Sequence, residues 1–271
     1  MYWDQLLANA APERHLVQLY QADERLLTRN VSRYLSEGLK HGDGLVVVAT
    51  AKHIADVTDE LKALGSEVEA AKQEGGLFLG DAHEMLASLM VDGQPDWDRF
   101  ESTVGVAVRE IRARAGKNGL RAYNETAGIL WKEGQRSSAI RFEQLWNKLI
   151  RSTESSLFCA YPIDVFGKDF QIAEVDALLC AHTHLLPSAI DSDLESSVDR
   201  AMDEVLGSKA DRLRPLIKAN YRPSWAAIPK GEALILWLRR NLPDHADEIL
   251  SRSRQYYRVS QGTATMRNDH N

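Results

Sequence analysis

The residues best placed to do chemistry in this chain sit where short apolar runs end. Glu125 follows Leu120-Arg121-Ala122-Tyr123-Asn124, and a carboxylate there can accept a hydrogen bond from a ligand or serve as a general base. The plain alternative is a carboxylate capping the next turn. Tyr20 and Tyr161 each end a run with an aromatic face and a hydroxyl, which suits the wall of an organic-ligand site and equally suits packing with one satisfied hydroxyl. Thr50 and Asn124 supply a hydroxyl and a carboxamide at two further run ends. Asp23 precedes a helix, where it either contacts a ligand or acts as an N-cap. The candidate ligand-binding set is therefore Tyr20, Asp23, Thr50, Asn124, Glu125 and Tyr161. No catalytic residue, metal ligand or cofactor is assigned.

Other chemistries lack their motifs. The first turn reads Tyr20-Gln21-Ala22-Asp23-Glu24, where an ATP-binding α/β protein carries a Gly-rich loop with Lys-Ser/Thr whose N–H groups and lysine hold the phosphates. An anionic turn at a helix N-terminus suits capping and repels phosphate. No Gly-x-Ser-x-Gly elbow, Cys/His nucleophile pair or Gly-x-Gly-x-x-Gly loop occurs. Asp81-Ala82-His83-Glu84 holds three metal-capable side chains, yet a helix turns His83 away from the other two. In His182-Thr183-His184 the two imidazoles point to different sides of a helix. Cys159 and Cys180 have no metal-type spacing and read as buried free thiols.

The elements that must position these residues follow from periodicity. Runs at 15–20, 45–50, 77–81, 120–125 and 157–161 alternate with amphipathic stretches, the pattern of βαβ units and a mainly parallel sheet flanked by helices. Leu27, Val31, Tyr34, Leu35 and Leu39 share one helix face, and Phe142, Leu145, Trp146, Leu149 and Ile150 share another. Ligands of such sheets bind beyond the carboxyl ends of the strands. Past Asp164 no strand-like run is found, and the remainder reads as helices near 172–182, 192–206, 230–241 and 245–258, separated by prolines. The division is a lead at 1–12, an α/β domain at 13–190, a helical region at 191–258 and a disordered tail at 259–271.

Composition narrows the partners. Among 271 residues, 33 Lys+Arg against 39 Asp+Glu give a net charge of −6, and no basic, aromatic-interleaved run stands out, which argues against direct nucleic-acid binding. The opening residues lack the n- and h-regions of a signal peptide, and no stretch is long and apolar enough to span a bilayer, so the expected location is the cytoplasm.

Several segments together resemble the MEDS domain, the sensory domain named for methanogen and methylotroph proteins and the dichloromethane regulator DcmR. They are His15-Leu16-Val17-Gln18-Leu19-Tyr20 with Asp23-Glu24, Leu35-Ser36-Glu37-Gly38-Leu39, Gly44-Leu45-Val46-Val47-Val48-Ala49-Thr50 and Met90-Val91-Asp92-Gly93. Further along come Leu130-Trp131-Lys132-Glu133-Gly134, Phe142-Glu143-Gln144-Leu145-Trp146-Asn147 and Leu157-Phe158-Cys159-Ala160-Tyr161-Pro162. The resemblance covers about residues 13–187. It implies a fold similar to the KaiC/RecA ATPase core with a degenerate nucleotide site, and a part in bacterial or archaeal signal transduction and transcription regulation through sensing of small hydrocarbon derivatives. The family often has Gly before the Glu of its fourth strand, where this chain has Asn124, a residue that also tolerates unusual backbone angles.

The leading expectation is a non-enzymatic sensor. It binds a small organic ligand at the carboxyl edge of the sheet and signals to a protein partner through its C-terminal helices, which also offer a homodimer interface. Those helices read equally as a lid on the core. A divergent nucleotide-binding hydrolase or transferase using Glu125 as base, and an adaptor with a vestigial site, are the alternatives.

Overall fold

The structure, a computed structural model, describes residues 2–21, 24–116, 118–189, 191–220 and 227–268. The chain enters through a short helix, α1 (Tyr2–Ala8), and then lays down β1 (His15–Leu19), α2 (Arg25–His41), β2 (Gly44–Ala49), α3 (Ala51–Ala63), α4 (Val68–Gln73) and β3 (Leu77–Asp81). After β3 come α5 (Ala82–Leu89), a small hairpin of β4 (Met90–Val91) and β5 (Gln94–Pro95), α6 (Trp97–Phe100), a π-helical turn (Glu101–Gly105) and α7 (Val106–Ala115). Next are β6 (Leu120–Asn124), α8 (Thr126–Lys132), α9 (Arg136–Thr153), β7 (Ser156–Tyr161), α10 (Ile172–Ala181) and β8 (His184–Leu186). The last helices are α11 (Asp191–Leu206), α12 (Lys209–Asn220), α13 (Lys230–Asn241) and α14 (Pro243–Asn268).

Six strands form one sheet in the order β3-β2-β6-β7-β1-β8, and every pairing is parallel. β1, β2, β6 and β7 are buried at every position, as befits parallel strands covered on both faces. The α/β architecture expected from the alternation of runs and amphipathic stretches is therefore present.

Each face has its own apolar layer. On one, Leu16, Leu45, Val47 and Phe158 of the sheet meet Leu27, Val31 and Tyr34 of α2 and Val57 of α3. On the other, Val17, Val46, Ala122 and Leu157 meet Phe100, Phe142 and Trp146, and the same cluster continues through Leu178 of α10 to Val198, Ile235 and Ile249 of the C-terminal helices. The helices after residue 190 thus share a core with the sheet. Gly128 lets α8 approach β7, since a Cβ there would stand 2.3 Å from the Ala160 carbonyl oxygen.

Three features depart from the sequence reading. β8 lies in the stretch past Asp164 expected to contain no strand; it has only three residues and opens on His184, too short and polar for a periodic signal. α1 and α12 were not anticipated, and Pro215 inside α12 explains the second omission. α14 continues to Asn268, through residues assigned above to a disordered tail. Among the described residues, no helix is long and apolar enough to cross a membrane.

Candidate functional site

The helices after β1 and β2 cover one face, whereas those after β3, β6 and β7 cover the other. Neighbouring strands therefore send the chain to opposite faces at β3–β2, β2–β6 and β7–β1, and such divergences are where open α/β sheets form ligand crevices. Glu125 lies at the β2–β6 divergence. Its N–H donates to the Val48 carbonyl at 3.0 Å, extending the β2–β6 ladder by one residue. Its carboxylate then closes the gap to the next loop: Oε2 accepts from the Thr50 N–H at 2.9 Å, and Oε1 accepts from His53 Nδ1 and from the Tyr123 hydroxyl, both at 2.5 Å.

The chain of charge continues outward. Nε2 of His53 lies 3.1 Å from Glu24 Oε2, and Lys52 Nζ bonds the same oxygen at 2.6 Å and Asp56 at 2.8 Å. The Tyr20 ring packs edge-on against the His53 imidazole, centroids 5.8 Å apart. Glu125 and His53 are buried, whereas Lys52 is exposed, so polarity rises from a dry floor to a wet rim.

Electrostatics follow from this placement. Burial works to lower the His53 pKa, but the hydrogen bond and charge of Glu125, joined by Glu24, outweigh it and raise the pKa above the ordinary imidazole value. Burial works to raise Glu24, and its bonds to Lys52 and His53 bring it below the usual carboxylate range. The Tyr20 hydroxyl is pushed upward by burial and then by Glu125 and Glu24. The arrangement is an imidazole held between two carboxylates, which favour its protonated form.

Of the six candidate residues, three gather here. Tyr20, Thr50 and Glu125 line one corner, where Thr50 Oγ1 also caps α3 by accepting from the His53 N–H at 3.4 Å. Asn124 and Tyr161 face the opposite side of the sheet, because successive strand residues alternate. The Asn124 carboxamide oxygen accepts from the Thr126 hydroxyl at 2.8 Å. Asn124 is ordinary strand backbone, absent from the positive-φ residues Glu13, Asp92 and Glu154, so its place makes no demand for glycine. Asp23 lies outside the described residues. The first N-cap is assigned to Glu24, without a side-chain capping bond.

Tyr161 belongs to a second polar cluster, beneath α9. Its hydroxyl donates to Glu143 Oε1 at 2.5 Å. Oε2 of Glu143 lies 3.2 Å from His15 Nε2 and 3.4 Å from Cys159 Sγ, and Oε1 lies 3.6 Å from His182 Nε2. All four side chains are buried. Burial works to raise the Glu143 carboxyl, but the neighbouring histidines and the Tyr161 hydroxyl hold it down at about 2. Burial, then the adjacent His15, press His182 down to about 3.

Strand-end reasoning reaches His53 in the loop after β2, although it is outside the six candidates, and it misses the Glu143 group. The signal for His53 was its place three residues after Thr50, inside the first turn of α3. The Glu143 group gave none, since its members come from β1, α9, β7 and the α10–β8 turn. Asp81, by contrast, only caps α5 through the N–H groups of His83 and Glu84. Cys180 corrects another expectation, being exposed on α10, while Cys159 is buried.

Fold and site together define a parallel α/β protein that holds a buried carboxylate and imidazole at the β2–β6 divergence. Residues 14–183 match the family described as the MEthanogen/methylotroph, DcmR Sensory domain, and the chain belongs to this MEDS family. Membership carries a sensory or regulatory role. No curated protein sequence shows significant similarity to the chain.

Proposed function

We infer that the protein is a non-catalytic sensor that receives a small organic molecule at the carboxyl edge of its sheet, against Tyr20, Thr50, His53 and Glu125, and passes occupancy to a protein partner through its C-terminal helices. The observation that carries this reading is the buried Glu125–His53 pair at the β2–β6 divergence, with its 2.5 Å contact and its link to the rim through Glu24. A ligand that competes for Glu24 or for the Tyr20 edge changes the charge felt by His53. That change reaches β2 and β6 directly, because Thr50 and Glu125 are joined by a hydrogen bond.

Glu125 serves this reading better than the hydrolase one. Both of its oxygens already accept hydrogen bonds from protein groups, so the side chain acts as a strut between β6 and α3. The C-terminal helices suit relay because α11 and α13 share the apolar cluster of the sheet. The test is a thermal-shift and calorimetric screen of small organic acids, alcohols, amines and halocarbons on the full chain. A hit abolished by Tyr20→Ala and weakened by Glu24→Gln supports the reading; hydrolysis of ATP with magnesium and no hit in the screen refutes it.

A further inference from the structure

We propose that His15, Glu143, Cys159 and His182 form a binding site for a zinc-class divalent transition-metal ion, buried beneath α9 on the face of the sheet opposite Glu125. The sequence reading assigned no metal, because these residues are scattered along the chain. The fold brings one donor atom from each within 4.8 Å of all the others.

The separations of neighbouring donor atoms lie close to those of a tetrahedral site. Ligand atoms about 2.0–2.3 Å from a tetrahedral zinc ion stand roughly 3.3–3.7 Å from one another. The observed separations are 3.2 Å for His15 Nε2 to Glu143 Oε2, 3.3 Å for His15 Nε2 to Cys159 Sγ, 3.4 Å for Cys159 Sγ to Glu143 Oε2 and 3.6 Å for His182 Nε2 to Glu143 Oε1. The one short bond of the group, from Tyr161 at 2.5 Å, goes to Oε1 and leaves Oε2 turned toward His15 and Cys159.

The outer hydrogen bonds set both imidazoles for ligation. The Asn147 carboxamide is oriented by Nδ2, which donates to the Ala181 carbonyl at 2.9 Å, so Oδ1 must accept from His15 Nδ1 at 3.1 Å. His182 Nδ1 likewise donates to the Leu178 carbonyl at 2.7 Å. With the proton on Nδ1 in each ring, both Nε2 lone pairs face the Glu143 carboxylate. Two lone pairs aimed at an anion repel unless something positive lies between them. His182 Nε2 in fact has no hydrogen-bond partner although its side chain is fully buried. A second proton on His15 relieves one of these contacts; a cation relieves both. Histidines that donate their remote N–H to a carbonyl or carboxamide are characteristic of metal sites.

The donor set names the ion. Two imidazoles, a carboxylate and a thiolate suit a borderline-soft ion of the zinc type, and their two negative charges neutralise a divalent cation, which makes burial tolerable. Binding displaces the Cys159 thiol proton, since only the thiolate ligates. A groove of about 860 Å³ between α9 and α10 is lined in part by Asn147, the residue whose carboxamide bonds His15. The bound ion ties β1, α9, β7 and the end of α10 together. All four donors lie inside the residues matched by the family.

The experiment is a titration of the full chain, stripped by chelator, with cobalt(II) alone. We expect one equivalent to bind saturably, with intense tetrahedral visible bands and a thiolate-to-cobalt charge-transfer band, both displaced by zinc. The chain has two cysteines, so Cys180→Ser must retain the charge-transfer band and Cys159→Ser must lose it. His182→Gln should weaken binding by about tenfold or more, and Asn147→Ala by a comparable factor. Absence of saturable binding by the unmodified chain overturns the proposal, as does a charge-transfer band lost with Cys180→Ser. Neither of these outcomes depends on whether the Cys159 or His182 variants fold.

Discussion

His53 Nδ1 and Glu125 Oε1 lie 2.5 Å apart where the chain directions after β2 and β6 diverge, so one hydrogen bond joins the first turn of α3 to the end of β6. Both residues are buried. The hydrogen bond and charge of Glu125 raise the His53 pKa, and the pair can be probed by changing either residue.

Glu125→Gln keeps the shape and the acceptor for the Thr50 N–H but removes the charge. The His53 pKa should then fall from its raised value, as read by NMR titration of the ring protons. Stability should drop by about 1–3 kcal/mol, the usual loss when a buried charged hydrogen bond becomes a neutral one. An unchanged His53 titration would show that Glu125 is not its partner in solution.

The pH dependence of stability has a defined sign. The folded His53 pKa lies above its ordinary 6.5, so its contribution is complete below 6.5 and is lost as pH rises through the folded value. The folded Glu24 pKa lies below its ordinary 4.5, so its contribution is complete above 4.5 and is lost as pH falls through the folded value. The Glu24–His53 pair therefore contributes most between pH 4.5 and 6.5. Urea midpoints measured from acid to mildly alkaline pH should reveal an alkaline decline that His53→Gln flattens.

Arg121 in β6 is a buried cation with many partners. It pairs with Asp43 at 2.8 Å and donates to the carbonyls of Leu7, Ala8 and Tyr34, which fastens α1 and α2 to the sheet. Arg121→Met should cost about 3–5 kcal/mol by stranding Asp43 and these carbonyls, measured as a shift in urea midpoint. Adding Asp43→Asn should restore part of the loss, because the stranded charge goes with it.

The sharing of one core by the sheet and the C-terminal helices predicts a single transition. Ile235→Ala in α13 opens a cavity against that core and should destabilise by about 2–5 kcal/mol. In calorimetry the whole endotherm should move down together. A separate early transition for the helices would instead place an independent domain boundary near residue 190.

Much of the architecture was legible locally. The five runs became β1, β2, β3, β6 and β7 because short stretches rich in apolar and β-forming residues, bounded by turn residues, favour strands, and that is a property of neighbours in sequence. The divergence from a phosphate loop was legible for the same reason. β8 and α12 escaped because a three-residue strand and a proline-containing helix owe their form to what they pack against. Cys180 was misplaced because a helical run does not tell which of its residues faces outward when most are apolar.

The sequence by itself determined which residues end the strands, and therefore that Tyr20, Thr50 and Glu125 would lie at one edge of a parallel sheet. Only the tertiary structure decided that they meet at the β2–β6 divergence with His53 between Glu125 and Glu24, while Asn124 and Tyr161 turn to the other face. The pleat sends adjacent residues to opposite sides, and strand order is set by long-range packing that no local pattern encodes. The same packing draws His15, Glu143, Cys159 and His182 together beneath α9, across separations that only a closed core can bridge.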